Sequence, residues 1–293
     1  MKENKASSTA FSVLQSILYL AQHPRYSDLV PKEMVEASQR MLSTSDEGKK
    51  CLRQLESRWY SSLILPAMIR LLMPGVAFHC LLRKRFIEDN THDAIAGGVT
   101  QVINLGAGFD TLAWRIHEQY PKVQFIEIDH PATLALKAKA IPKQSLSNLH
   151  LLAVDFSKQN LEEALKSLAA FDPESPTLFI CEAVFMYLEK DEVIQIIKDI
   201  KCLTGKGTRL VFTCMEPASS TRNNIGPLFN IYLKIKGEPF KWPIESENLQ
   251  AFFGKDYKVQ EIATTETLRT HYFSTKYQDQ LHQGEYLAVA EIV

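Results

Sequence analysis

The sequence of 293 residues has little net charge and few cysteines, and so lacks features that are typical of several classes of protein. Its formal net charge is only −1, so it offers no strong field for nucleic acid or an anionic membrane, and we expect neither as its main partner. Its five cysteines are scattered and form no C-x-x-C motif, which argues against a disulfide framework and a zinc site. This cysteine usage is typical of a reducing compartment, so we predict a cytoplasmic protein.

Long apolar runs are also scarce. One run, Leu63–Leu82, reaches the length of a membrane span, but Arg70, Pro66 and Pro74 lie inside it. A charge in the middle of a bilayer is costly, and two prolines interrupt a helix. We therefore expect no membrane span, and instead predict two buried helices joined by a turn at Met73–Gly75.

The chain lacks internal repeats, but its second part alternates regularly. The first part predicts helices, with turns near His23 and Thr44, whereas short β-rich runs alternate with helical stretches from Thr100 onward. Such alternation indicates βαβ units around a parallel sheet. The strands are predicted at residues 101–105, 123–128, 149–154, 177–181, 208–213, 257–263 and 285–293. The helices between them are predicted at residues 111–120, 131–140, 160–170 and 190–203.

These elements predict an α/β fold: a doubly wound, Rossmann-like, seven-stranded sheet in one domain. We expect residues 1–97 to form a helical N-terminal lid. Residues 98–214 and 254–293 would form the ligand-binding core, and residues 215–253 a helical insertion on the substrate side.

A glycine turn follows the first predicted strand. Gly106, Ala107 and Gly108 come directly after residues 101–105, where a doubly wound sheet binds its ligand. Glycine lets the backbone approach a ligand without interference from a Cβ atom. A dinucleotide turn would carry a third glycine at position 111, but this residue is Thr111. The turn therefore suits the amino acid end of S-adenosylmethionine (SAM) better than a pyrophosphate, and a dehydrogenase is disfavoured.

Acidic residues stand at the ends of the next three predicted strands. Asp129 can accept both ribose hydroxyls, while Asp155 and Phe156 suit an adenine. Glu182 can meet the ammonium group or offset the sulfonium charge of SAM. The alternatives are an exposed carboxylate at a strand end for Asp129 and a helix N-cap for Asp155.

Four ordered motifs resemble the leucine carboxyl methyltransferase family, which includes protein phosphatase carboxyl methylating enzymes and polyketide-pathway methyltransferases. The motifs are Arg83–Asp89, Asn104–Thr111 with Trp114 and Arg115, Glu127–Pro131, and Glu182–Leu188. The resemblance implies a fold that binds SAM and releases S-adenosylhomocysteine. It also implies a set of cofactor-binding residues: Arg83, Gly106, Ala107, Gly108, Asp110, Asp129, Asp155, Phe156, Glu182 and Tyr187.

Within this set the resemblance assigns Arg83 to the SAM carboxylate, with Arg85 as the neighbouring alternative. Family members also close over SAM with a residue from their N-terminal helices. The candidates for that residue are Lys5, Ser8 and Thr9.

No catalytic base can be assigned from the sequence. His79, Asp110, His130 and Tyr187 are candidates, but a packing or hydrogen-bonding role is the more ordinary reading of each. No convincing set of metal ligands is visible, so we expect no metal. Six aromatic residues could line an acceptor pocket, although packing against the sheet is favoured two to one. They are Phe229, Tyr232, Phe240, Trp242, Phe252 and Phe253.

The sequence therefore predicts a SAM-dependent methyltransferase that acts on a carboxylate or hydroxyl oxygen of a small molecule. One alternative is a protein methyltransferase that modifies a chain-terminal carboxylate. Another is a module that binds SAM and has lost the transfer chemistry. The oligomeric state is left open.

Overall fold

A computed structural model describes residues 8–142, 147–156, 158–273 and 281–293 of the chain. Its first part is helical, as predicted, and the predicted turns near His23 and Thr44 and at Met73–Gly75 separate helices. The prediction of two buried helices on either side of Met73–Gly75 is wrong for the first, in which only Leu65 of residues 65–72 is buried, and correct for the start of the second. The helices here are α1 (Ser8–Gln22), α2 (Lys32–Leu42), α3 (Asp46–Glu56), α4 (Leu65–Leu72) and α5 (Val76–Ala96). A π-helical turn, Tyr60–Ile64, leads directly into α4.

The second part forms the seven-stranded sheet. Its strands are β1 (Gln101–Leu105), β2 (Gln124–Asp129), β3 (Leu149–Ala153), β4 (Thr177–Cys181), β5 (Arg209–Met215), β6 (Tyr257–Ala263) and β7 (Glu285–Ile292). Their order in the sheet is β3-β2-β1-β4-β5-β7-β6, and β7 runs antiparallel to both of its neighbours. The predicted fold class is therefore confirmed, with strand ends that differ from the prediction by two residues at most.

The sheet is buried on both faces because successive side chains of a strand point to opposite sides. On β1, Val102 joins a core formed with α1, α5 and Leu268, whereas Ile103 and Leu105 join a second core on the other face. All five residues of β1 and of β4 are buried. This double burial explains why these strands are mostly apolar. Their buried polar side chains are hydrogen-bonded, Gln101 to Thr177 and Asn104 to Asp110.

The remaining helices connect the strands. They are α6 (Leu112–Ile116), α7 (Pro131–Ala140), α8 (Leu161–Lys166), α9 (Lys190–Leu203), α10 (Pro227–Lys236), α11 (Leu249–Phe253) and α12 (Thr265–Tyr272). The predictions for α7 and α9 match at both ends. The predicted helix at 111–120 continues as a 3₁₀ turn after Ile116, and α8 is shorter than predicted. Helix α12, which is short and mostly polar, was not predicted from the sequence.

The topology fixes where a ligand can bind. The chain passes from β1 outward through β2 and β3, and then returns to place β4 on the other side of β1. The connections after β1 and β4 therefore diverge at the carboxyl edge of the sheet and leave a crevice between them.

Candidate membrane spans were sought among the described helices. No single helix is both long and apolar enough to cross a bilayer. One pair, Tyr60–Leu72 with Val76–Ala96, meets the criterion of length and composition together, and is bent by 78° at its break.

Candidate active site

A cavity of about 360 Å³ lies in this crevice, within the size range of small-molecule sites. Its walls come from the ends of β1 and β4, from α1 and α5, and from the residues that follow α10. Eight of the ten predicted cofactor residues line it: Arg83, Gly106, Ala107, Gly108, Asp110, Asp129, Glu182 and Tyr187.

The glycine turn forms one end of the cavity. Gly106 and Gly108 have φ angles of +67° and +48°, a region in which a side chain is strained. A Cβ atom at Gly106 would stand 2.5 Å from Cγ2 of Val184, so the turn also has no room for one. The Gly108 N–H donates to Oδ2 of Asp129 at 2.7 Å, which fastens the turn to the end of β2. Asp129 and the glycines thus form one structural unit.

A buried ion network lines the wall next to this turn. The Arg83 guanidinium on α5 donates from Nε to Glu182 at 2.8 Å and from Nη1 to Glu285 at 2.7 and 2.9 Å. Lys84 donates to Asp110 at 2.8 Å and to Glu182 at 2.7 Å. Side-chain exposure in these four ion pairs is 11% or less. Consecutive residues of α5 therefore bind carboxylates from three different strand ends.

Asp110 is the most constrained member of this network. Besides Lys84, its carboxylate accepts hydrogen bonds from Asn104 Nδ2 and from the backbone N–H groups of Thr111 and Leu112. Burial by itself would raise the pKa of Asp110, but the charges of Lys84, Lys137 and Arg115, with the hydrogen bond from Lys84, together outweigh it and hold this pKa well below its usual range. Asp110 is therefore a fixed anion and an improbable base.

Arg83 and Arg85, the two alternatives for the SAM carboxylate, lie in different places. Arg83 lines the cavity. The Arg85 guanidinium instead stacks over the ring of Tyr272 on α12, 5.0 Å from its centroid. Geometry therefore favours Arg83 for the role that the resemblance implies.

Two histidines lie behind the ion network. His79, one turn before Arg83 on α5, contacts Thr265 Oγ1 at 2.8 Å and Glu285 Oε2 at 2.7 Å. The ring of His282 packs edge-on against His79, and both of its nitrogens are buried without a hydrogen-bond partner. Burial and the neighbouring His79 lower the pKa of His282 to about 3, so this imidazole is neutral.

The same group contains the donor types of a transition-metal site. The ligand atoms of His79, His282 and Glu285 lie within 4.8 Å of one another. However, Glu285 already accepts from Arg83 and contacts His79, so a cation would compete with a bound arginine. This grouping was not predicted from the sequence, because 203 positions separate its two histidines. Glu285 reaches the carboxyl edge only through the pairing of β7 with β5.

Asp155 and Phe156 are not among the residues that line the cavity. They follow β3, where the Val154 N–H donates to the Asp129 carbonyl at 2.9 Å. Phe156 is about half exposed, and Asp155 forms an ion pair with Lys158 at 2.9 Å. They thus lie beside Asp129 but outside the enclosed part of the crevice, and their assignment to adenine stays a prediction.

The start of α1 closes the opposite wall. Thr9 donates to Oε2 of Glu238 at 2.5 Å and is hydrogen-bonded to Tyr187, so it joins α1 to two other segments of the wall. Among the three candidates for closure, Lys5 lies outside the described residues, as does the Ser8 side chain. Thr9 is therefore the one candidate whose position the structure describes.

None of the four candidate bases is well suited to accept a proton from an acceptor in the cavity. His79 is buried and bonded on both ring nitrogens, and His130 Nδ1 accepts the N–H of Ala132 as the N-cap of α7. Burial raises the pKa of the Tyr187 phenol, which is therefore a neutral hydrogen-bonding group. With Asp110 held as an anion, a packing or hydrogen-bonding role fits each candidate better.

The aromatic residues of the insertion divide into two groups. Trp242, Phe252 and Phe253 pack in the core under β5, with Trp242 and Phe252 at 4.8 Å between ring centroids. Phe240 contacts Tyr187 at 5.5 Å and Phe229 at 6.3 Å, so this pair extends toward the cavity. The Tyr232 side chain lies outside the described structure.

Comparison with known proteins identifies the family of this chain. The model of the leucine carboxyl methyltransferase family matches residues 7–201, about two thirds of the chain. The chain belongs to this family. The match begins at α1 and ends within α9, so it includes the glycine turn and every member of the ion network except Glu285.

Relatives of this leucine carboxyl methyltransferase family member bear provisional names as S-adenosyl-L-methionine-dependent methyltransferases. YktD of Bacillus subtilis is 27% identical over 266 residues and 82% of each chain. Proteins of Frankia alni and Streptomyces coelicolor are 29% and 32% identical over 47% of this chain. The chain spans about half the length of these two relatives, at 48% and 49%. The family prediction is confirmed, and with it the class of cofactor.

Solved structures share the fold. A DUF574 family protein of Streptomyces avermitilis aligns with a TM-score of 0.57 and 14% identity, covering 87% of this chain and 97% of its own. A protein of Thermobifida fusca, provisionally named a methyltransferase, aligns with a TM-score of 0.55 and 13% identity over 87% and 94% of the two chains. At this identity, the similarity establishes the architecture alone.

Proposed function

We propose that this protein transfers the methyl group of SAM to a carboxylate or hydroxyl oxygen of a small molecule. The observation that carries the proposal is the convergence of eight predicted cofactor residues on one cavity at the switch point of the sheet. When bound, SAM supplies an electrophilic methyl group on a positively charged sulfur.

The residues of the cavity fit SAM in shape and charge. The positive φ angles of Gly106 and Gly108 would give the close backbone approach that the methionine end needs. The ion network holds three carboxylates, Asp110, Glu182 and Glu285, against two permanent cations, Arg83 and Lys84. Its excess of negative charge suits a ligand that carries a net positive charge.

The roles of individual residues follow from their positions. Arg83 would bind the SAM carboxylate while Glu182 keeps its guanidinium oriented. Asp129 would accept the ribose hydroxyls through lone pairs that its two backbone bonds, from Gly108 and His130, leave available. Asp155 and Phe156 would receive the adenine beyond the enclosed part of the cavity.

Positioning would contribute most of the catalysis. A carboxylate nucleophile needs no base, and none of the candidate bases is suited to act as one, so a carboxylate acceptor fits the site most directly. Thr9, Tyr187 and Glu238 also line the cavity; Thr9 and Tyr187 would close over SAM, and Glu238 would orient the acceptor.

Titration calorimetry with SAM tests the proposal. We expect binding, and a loss of affinity of about ten- to hundredfold in Asp129→Ala, because hydrogen bonds to a charged group are lost. Asp172→Ala is the matched control: Asp172 also accepts a backbone N–H, from Glu174, but its own N–H binds Gln101 at the other edge of the sheet. No binding of SAM at millimolar concentration would overturn the proposal, and unchanged affinity in Asp129→Ala would overturn the ribose assignment.

Formation of S-adenosylhomocysteine tests the acceptor class. A panel of small carboxylic acids and their alcohol counterparts, incubated with the protein and SAM, should include acids that raise product formation. Turnover only with a peptide that ends in a free carboxylate would instead favour a protein substrate.

A further inference from the structure

Large apolar side chains that lie in solvent are concentrated in two segments of the protein. Of the ten that are exposed in the described residues, seven lie either in the helical stretch that ends with α4 or on α10. They are Trp59 (66%), Leu63 (60%), Met68 (43%), Leu71 (64%), Leu228 (50%), Ile231 (54%) and Ile235 (77%). These seven side chains form what is called here the apolar surface. Such a concentration indicates an interaction site.

The two segments meet. A Cβ atom on Gly226, the residue before α10, would stand 3.6 Å from the carbonyl oxygen of Leu71 at the end of α4. Leu71 and Leu228 are thus exposed on either side of the contact. On α10, Leu228, Ile231 and Ile235 recur at helical spacing, so they lie along one face of that helix.

The neighbouring helix α5 shows that exposure, and not apolar sequence alone, distinguishes this surface. Phe78, Leu81 and Leu82 on α5 are buried in the core against β1 and β4. The first helix of the bent apolar pair is therefore largely open to solvent, while the second is part of the fold. A helix bound into the core in this way is not free to cross a bilayer, but α4 can lie on one.

The charge within the two stretches that carry the apolar surface has a single sign. The sequence contains no Asp or Glu from Ser57 to Ile87, although it has Arg58 and Arg70 there. It likewise contains none from Pro217 to Gly237, a stretch with Arg222, Lys234 and Lys236. The side chains of Arg58, Arg70 and Lys234 are exposed. The acids nearest to the apolar surface along the chain, Glu56 and Glu238, lie just outside the two stretches, and Arg222 is paired with Glu247. Apolar helices whose own charges are cations are typical of helices that adsorb to anionic lipid.

A second copy of the chain fits this surface less well. A two-fold dimer places the same patch on both partners, so the cations of one copy would face those of the other. The two stretches supply no carboxylate to pair with them. An anionic bilayer supplies both the apolar layer and the missing negative charge.

We propose that the apolar surface docks this protein on an anionic membrane. Trp59 would lie at the level of the headgroups, where tryptophan is enriched, and Arg58, Arg70 and Lys234 would contact lipid phosphates. The cavity opens close by, because Gly237, Glu238 and Pro239 line it directly after α10. Docking would therefore bring the cavity near acceptors that partition into lipid. The overall charge of −1 does not predict this, since the cations are local to one surface.

Vesicle flotation with the full chain tests the proposal. We expect the protein to float with vesicles of mixed phosphatidylcholine and phosphatidylglycerol, and much less with phosphatidylcholine alone. Ile231→Glu/Ile235→Glu should weaken binding by at least about tenfold, and Lys234→Gln by about fivefold. The matched control is Val293→Glu, which adds a charge at an apolar side chain that is 53% exposed at the carboxyl terminus and should bind as the parent does.

Tryptophan fluorescence supplies a second readout. Trp59 is 66% exposed and Trp242 only 6%, so a blue shift on mixing with anionic vesicles should disappear in Trp59→Phe. Absence of flotation with mixed vesicles, or equal flotation of the double variant and the parent, would overturn the proposal. A dimer in light scattering that the double variant converts to a monomer would also overturn it, because the surface would then be a contact between copies.

Discussion

The two walls of the cavity differ in charge, burial and origin. The wall formed by α5 and the strand ends carries five ionised side chains in a buried network. The opposite wall, from α1 and the residues after α10, is joined by the hydrogen bond between Thr9 and Glu238 and continues into the apolar surface. Rigid, paired charges would suit a charged ligand such as SAM, whereas a polar and apolar wall would suit a less charged acceptor.

The largest effect is expected where a member of the ion network is removed. Arg83→Leu would leave Glu182 and Glu285 buried without their main partner, so we expect it to lower the free energy of unfolding by about 3–5 kcal/mol. Urea denaturation measures this change. Arg209→Leu is the matched control, because Arg209 forms a longer pair of 3.4 Å with Glu291 at 40% exposure.

The control Arg209→Leu should lower the free energy of unfolding by about 1 kcal/mol or less. Arg83→Lys keeps the positive charge but loses the paired donors of the guanidinium. Its stability and its SAM affinity should lie between those of the parent and of Arg83→Leu. Equal losses in Arg83→Leu and Arg209→Leu would show that the network is not the rigid element that distinguishes this wall.

A smaller effect is expected at His282, the unpartnered group behind the same wall. Its pKa is lowered to about 3 in the folded protein, against an ordinary value of about 6.5. The folded state therefore binds fewer protons than the unfolded chain below about pH 6.5, and stability contributed by the neutral imidazole falls as pH falls. Between about pH 7.5 and 5.5 this group should account for a loss of about 1.4 kcal/mol.

Urea denaturation of the parent and of His282→Leu at both pH values isolates that loss, because the other histidines contribute to both proteins. The parent should lose about 1.4 kcal/mol more than the variant. An identical loss of stability in the parent and in His282→Leu would mean that His282 is hydrated or hydrogen-bonded in solution. His282 would then not differ from the paired charges of the ion network.

The smallest effect is expected on the opposite wall. Thr9→Val removes the hydrogen bond to Glu238, which should lower SAM affinity by up to about tenfold and the free energy of unfolding by less than about 1.5 kcal/mol. Thr270→Val, on the exposed face of α12, removes a hydrogen bond to the Glu266 carbonyl and should leave affinity unchanged. Calorimetry compares the two, and a loss as large as that of Arg83→Leu would make the walls equivalent.

Local sequence patterns predicted several residues of the wall formed by α5 and the strand ends, because the motifs that contain them are only a few residues long. The alternation of strands and helices placed Asp129 and Glu182 at strand ends, and parallel strands bring such ends to one edge. The glycine turn was predictable from residues 106–108, because glycine adopts positive φ angles without strain. At Gly106 it also leaves room for the side chain of Val184. Helix ends were less predictable, as α8 shows, because a final turn depends on tertiary contacts.

Sequence by itself therefore determined the fold class and the family, and it predicted three of the five charged residues in the wall formed by α5 and the strand ends: Arg83, Asp110 and Glu182. Tertiary structure alone decided which partner each charge has: Glu285 reaches Arg83 only because β7 lies antiparallel to β5. It also decided which apolar residues are exposed: α4 and the first turns of α5 are both apolar in sequence, but Met68 and Leu71 on α4 are exposed whereas Phe78 and Leu81 on α5 are buried. The physical reason is that periodicity is encoded over a few residues, whereas pairing and burial depend on segments about 200 positions apart, which the order of strands brings together.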